Sequence, residues 1–133
     1  MSQEQLVTGR YRILRTLGRG GFSEVCLAED TLLGDRKVAL KRIAYHHLHD
    51  EERVERFKQE ADIVGRLTSS NIVRAYDYGK DENGRYFIVL EYVEGLTLHQ
   101  VLQNDAPLSV ARTVHIATQL LDALEEAHQL GII

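Results

Sequence analysis

The run Leu17-Gly18-Arg19-Gly20-Gly21-Phe22-Ser23-Glu24-Val25 stands a short way ahead of Val38-Ala39-Leu40-Lys41. Residues of these types can hold a polyanion. Glycine lacks Cβ, so Gly18, Gly20 and Gly21 let backbone N–H groups come close to phosphate oxygens. Phe22, at the tip of the turn, would cover those phosphates and exclude water. Alternation along a strand puts Val25 and Leu27 on one face and Cys26 on the other, and it puts Ala39 and Lys41 together. Where those faces meet, a flat apolar slot lies between Val25 and Ala39, with an ammonium at its inner end. An adenine ring suits such a slot, and the ammonium would lie beside its phosphates.

A lysine in a slot needs an anionic partner, because desolvation favours its neutral form. Glu60 is the best placed carboxylate. It lies three residues past Phe57 and four before Val64, beside the apolar stripe of a helix, whereas Glu51, Glu52, Glu55 and Asp62 fall toward solvent. Arg56, one turn earlier, is a competitor for Glu60. A G-x-G-x-x-G pattern alone is weak evidence for a nucleotide, and here Ser23 stands where the third glycine would be. The rival reading is a dinucleotide-binding turn, which must open a helix. Glu24-Val25-Cys26-Leu27-Ala28 reads instead as a strand.

The elements that must position these residues follow from periodicity. Strands are expected at residues 11–17, 24–29, 37–43, 72–78 and 86–93, with an Asn83-Gly84 hairpin turn between the last two. Val54, Phe57, Ala61, Val64 and Leu67 recur at helical spacing and predict a helix from about 50 to 67. Short helix 98–103 ends before Pro107, and Ser109 is placed to cap helix 110–130, with Gly131 as its stop. Val110, Val114, Ala117, Leu121 and Leu124 give that last helix an apolar stripe that calls for burial. The fold class expected is α+β: a five-stranded antiparallel sheet with one packed helix, followed by a separate helical piece.

Composition narrows the function. The 133 residues carry a formal net charge of -4, and the basic residues are scattered, which gives no footprint for nucleic acid. Arg10, Arg12 and Arg15 read as a solvated strand face. No apolar run approaches the roughly 20 residues that span a bilayer, and the polar start of the chain is not a signal peptide. The single cysteine, Cys26, makes no internal disulfide, and a cytoplasmic location is expected. His46, His47 and His49 crowd one connection but lack the further ligands of a zinc site, so they read as a solvated loop and no metal site is expected. Asp81 and Glu82 read as solubilising residues of a hairpin.

With these motifs in order along nearly the whole chain, the sequence resembles the protein kinase superfamily, in particular the bacterial serine/threonine kinases of eukaryotic type. The stretches that carry the resemblance are Gly18 to Val25, Val38 to Lys41, Glu60, Ile88-Val89-Leu90-Glu91-Tyr92-Val93-Glu94-Gly95, and the closing Ala127-His128-Gln129-Leu130-Gly131-Ile132-Ile133. The resemblance implies a kinase small lobe at 11–93 after an N-terminal extension at 1–10, with hinge exit and first large-lobe helices at 94–133. It implies ATP as cofactor and a protein Ser/Thr hydroxyl as acceptor. Lys41 would touch the α- and β-phosphates and pair with Glu60. Leu17, Val25 and Ala39 would sandwich adenine, Leu90 would stand as gatekeeper, and the backbone of Glu91 and Val93 would bond its edge. Val64 would belong to the apolar stack behind the helix, and Ser23 would stiffen the turn without disabling it. The family's H-R-D loop and its magnesium ligands, the catalytic-loop Asn and the D-F-G Asp, are not in this sequence. The chain alone is therefore expected to be inactive. The alternative is a non-catalytic, pseudokinase-like or split-kinase module that docks a partner chain over helix 110–130.

Overall fold

The computed structural model describes residues 5–132. The chain forms two compact units: residues up to Arg66 together with Arg74–Tyr92, and Leu67–Val73 together with the chain from Val93 onward.

The first unit is an antiparallel sheet with one helix. Its strands are β1 (Leu6–Val7), β2 (Tyr11–Arg19), β3 (Ser23–Asp30), β4 (Arg36–Ile43), β5 (Ala75–Lys80) and β6 (Tyr86–Glu91). The sheet has six strands, in the order β1-β2-β3-β4-β6-β5, where the sequence suggests five. The additional strand lies in the stretch read as an N-terminal extension. It is two residues long, too short for a period-two pattern, and exists because Leu6 and Val7 pair with Arg12 and Tyr11. The strand expected at 72–78 runs instead from Ala75 to Lys80, and β2 continues through Gly18 to Arg19. Helix α1 (Glu51–Arg66) connects β4 to the far edge strand β5 after a single 3₁₀ turn, Tyr45–His47.

Each face of the sheet buries its own cluster. On one face Val7, Tyr11, Ala28, Val38, Leu40, Phe87 and Val89 pack together, residues from five strands in one cluster. On the other, Ile43 and Ile88 receive Phe57 of α1, with Val54 and Ala61 alongside. Fully burying a side chain such as Phe57 contributes about 2 kcal/mol by area, which outweighs any single surface pair on this helix. Gly79 is closely packed: a Cβ there would stand 3.0 Å from Cζ of Phe87, so the ring would have to give way.

Three charged groups read as solvated serve the sheet instead. Arg10 donates to both oxygens of Asp30 (2.8 and 2.9 Å), whose residue is 1% exposed. That bond holds the Asp30 carboxyl below the usual carboxylate range, against its burial. Arg12 bonds Glu29 at 3.0 Å across the same strand pair. Asp81 is buried and accepts from the backbone N–H groups of Asn83 and Arg85, both at 2.9 Å, so it shapes the hairpin turn. Of the Asn83-Gly84 pair only Gly84 takes a positive φ, at 80°. Arg85 and Arg42 both donate to Oε1 of Glu24, at 2.9 and 2.6 Å. Burial of Glu24 pushes its pKa up, but the two guanidinium hydrogen bonds outweigh that and hold it low.

The second unit is helical. In α2 (Leu98–Asp105), Thr97 and Gln100 form a reciprocal capping box. In α3 (Val110–Gln129), the Ser109 hydroxyl accepts from Arg112 N–H at 3.1 Å. Glu126 of α3 accepts from the backbone N–H of Thr68 at 2.6 Å, which ties the 67–73 segment to this helix. No residue of α3 is buried, although its stripe calls for burial: Val110 is 81% and Leu121 64% exposed. Among the described residues, no helix is long and apolar enough to cross a membrane.

Candidate functional site

Strand register builds the site. Directly opposed residues of an antiparallel pair share a face. Val25 opposes Lys41, which opposes Ile88; Leu27 opposes Ala39, which opposes Leu90. These six residues form two parallel rows on the face that also carries Ile43, the face covered in part by α1. Val25 and Ala39 are therefore diagonal neighbours and not a facing pair, because each has its own partner. Leu27 is a member of the apolar row that the sequence placed on the right face without assigning it to the site.

Gly18 pairs with Val25 inside the strands, and Leu17 falls at an irregularity in the β2–β3 register, where it is 37% exposed. The turn proper is Gly20 to Phe22, closed by the N–H of Gly20 donating to the carbonyl of Ser23 at 2.8 Å. Neither Gly18 nor Gly21 has a heavy atom within 4 Å of where a Cβ would stand. That open space over the sheet is what a phosphate chain needs in order to reach backbone N–H groups.

The Lys41 ammonium donates to Oε1 of Glu60. The lysine side chain is 23% exposed and the glutamate 44%. A pair this open contributes about 0–1 kcal/mol to stability, so its main effect is to aim the ammonium. The competing pair of Arg56 with Glu60 is not formed, because Arg56 bonds Glu52 one turn away at 2.6 Å. Phe22, Ser23, Lys41, Phe57 and Glu60 line a cavity of about 170 Å³ between the turn and α1.

Leu90 and Glu91 end β6. The N–H of Glu91 is committed to the carbonyl of Arg74 at 2.8 Å, so this amide is not offered to a ligand. Val93 belongs to the second unit and is 61% exposed. The histidine connection is not merely solvated: Nε2 of His47 lies 2.6 Å from the carbonyl of Gly21. No spacing in the sequence signals this contact between residues 26 positions apart. Among the described residues no cluster of His, Cys, Asp or Glu could hold a metal ion.

A glycine turn at the end of an antiparallel sheet, with a strand lysine paired to a helix glutamate, is the arrangement of a kinase-type small lobe. The protein kinase domain family model matches residues 11–133, and the chain belongs to that family. Its relatives include the serine/threonine-protein kinase PrkC of Bacillus subtilis, 42% identical over 127 residues, which are 96% of this chain and 19% of the relative. The probable serine/threonine-protein kinase PknB of Lactococcus lactis is 40% identical over 97% of this chain and 20% of its own length. The crystal structure of the PknI kinase domain of Mycobacterium tuberculosis superposes with a TM-score of 0.77 at 28% identity, covering 98% of this chain and 52% of that one. The chain thus spans about a fifth of each of these two relatives and about half of the solved kinase domain. It is part of a serine/threonine protein kinase domain, a family of ATP- and magnesium-dependent transferases.

Proposed function

We propose that this chain supplies the ATP-holding part of a kinase that transfers phosphate to protein Ser/Thr hydroxyls. The observation that carries this reading is the Lys41–Glu60 pair, set on the same sheet face as Val25 and Ala39. Lys41 neutralises the α- and β-phosphates, held in aim by Glu60. The backbone at Gly18, Gly20, Gly21 and Ser23 covers the phosphates. Leu17, Val25 and Ala39 enclose adenine, with Leu90 at the back of the slot. The carbonyl of Glu91 bonds the adenine edge. The residues present fit the base and phosphates of ATP; among the described residues there is no magnesium donor set. Phosphoryl transfer is positioning plus charge neutralisation, so this chain alone binds nucleotide modestly and does not turn over. A cytoplasmic location, where ATP is abundant and Cys26 stays reduced, goes with this reading.

The test is titration of the purified chain with ATP, read by calorimetry, beside a radiolabelled-phosphate transfer assay on a generic protein acceptor. Saturable binding without transfer is expected. No binding refutes the site, and robust transfer refutes the predicted inactivity. The exposed α3 face favours a second reading, a docking module whose apolar row is covered by a partner chain in a split kinase. A chain that stays monomeric by light scattering and does not bind an apolar dye counts against it.

A further inference from the structure

The tip of the glycine turn is held more firmly than its composition suggests. Phe22 is 56% exposed and belongs to neither core cluster. Its carbonyl accepts from the N–H of Ala44 at 2.8 Å, which fixes the turn to the end of β4. The preceding carbonyl, of Gly21, lies 2.6 Å from Nε2 of His47. The Phe22 ring lies 4.2 Å from the guanidinium carbon of Arg53 and 5.8 Å, between centroids, from the His47 ring. Nε2 of His47 also lies 3.2 Å from Nη1 of Arg53. The carbonyl only accepts and the guanidinium only donates, so Nε2 serves one of them at a time: protonated it donates to Gly21, and unprotonated it accepts from Arg53. Arg53 is aimed in turn by Asp50, which accepts from its Nε at 2.8 Å and from its backbone N–H at 3.3 Å. His47 and Arg53 stand at the entry to α1 and in its first turn, on the helix that presents Glu60 to Lys41.

We infer that His47 and Arg53 are positioning residues for the glycine-rich turn: they latch its tip to the start of α1. The position of one helix then sets both the turn and the Lys41–Glu60 pair. Opening the latch frees the tip without removing any residue that touches nucleotide. The latch stands on the contacts above, whereas its consequence for nucleotide rests on the proposed function.

The test is amide hydrogen exchange by NMR on the full chain, comparing wild type with His47→Ala, His47→Gln and Arg53→Ala. The reporters are the amides of Gly20 and Ala44, which close the turn, and that of Leu40 in the buried sheet serves as reference. Losing one hydrogen bond shifts a local equilibrium about fivefold, and losing one exposed cation–π contact about threefold. His47→Ala should therefore speed Gly20 and Ala44 exchange about fivefold relative to Leu40, and Arg53→Ala about threefold. His47→Gln, which retains a donor near the same place, should recover most of the wild-type protection. Unchanged ratios overturn the latch. Equal acceleration of all three amides also overturns it, since the substitution would then act on global stability. ADP affinity measured on the same samples should change in His47→Ala and recover in His47→Gln. Wild type that binds no ADP refutes the nucleotide reading, while the exchange data still decide the latch. ADP binding that is indifferent to a loosened tip refutes the positioning role.

Discussion

Replacing Lys41 with Met separates a residue kept for binding from one kept for folding. Methionine keeps most of the apolar stem and removes the ammonium. In the folded chain that ammonium bonds Glu60, but the two side chains are 23% and 44% exposed. An ion pair this open stabilises by about 0–1 kcal/mol. Since 1 kcal/mol moves the midpoint of a small domain by about 4–8 °C, Lys41→Met should shift thermal unfolding by a few degrees at most. A charge-assisted contact to phosphate contributes about 1.5–3 kcal/mol, which corresponds to a loss of about 10- to 150-fold in nucleotide affinity. Calorimetric titration with ATP and a thermal melt on the same preparation measure both quantities. Glu60→Gln should fall between wild type and Lys41→Met, because the cation remains and only its aim is lost. An unchanged ATP affinity in Lys41→Met refutes the site. A loss of more than about 2 kcal/mol of stability shows instead that the lysine serves the fold, and the small value assigned to an open ion pair is then wrong here.

Other substitutions probe the frame around the site. Phe57→Ala, which empties the contact of α1 with Ile43 and Ile88, should destabilise the first unit by about 3–5 kcal/mol in urea unfolding. Gly79→Ala should cost about 1–3 kcal/mol, since the new methyl meets the buried Phe87 ring at 3.0 Å; Gly18→Ala, with open space around it, should barely change stability. Glu24 and Asp30 both have depressed pKa values, so each stabilises the fold above the ordinary carboxylate pKa of about 4 and loses that contribution as pH falls through its lower folded value. Urea midpoints should therefore be flat from about pH 7 to 5 and drop below about pH 4. Glu24→Gln should flatten part of that acid limb; an unchanged limb would show that the Arg42–Glu24–Arg85 cluster is not its source.

Much of the frame was legible in the sequence because it obeys local rules. A period of two along β3 and β4 set Val25 with Leu27, and Ala39 with Lys41. The helical period around Phe57 singled out Glu60 among the carboxylates of α1, and Ser109 marked the start of α3 by its capping chemistry. Each of these follows from residues within a few positions of one another. The family resemblance carried what spacing could not, the roles proposed for Leu90, Glu91 and Val93 toward a nucleotide.

Tertiary structure alone decided which residues meet. Strand β1 exists only through pairing with β2, and β6 inserts between β4 and β5, which sets Lys41 against Ile88 and Ala39 against Leu90. Register, not alternation, made Val25 the partner of Lys41. Asp30, Asp81 and Glu24 look like ordinary surface carboxylates until the strands close over them. His47 reaches Gly21 only because β3 and β4 pair antiparallel and bring the end of β4 beside the start of β3. Periodicity tells each residue which way to face, whereas its neighbour across the sheet depends on how distant segments close on one another, which no short window of sequence contains.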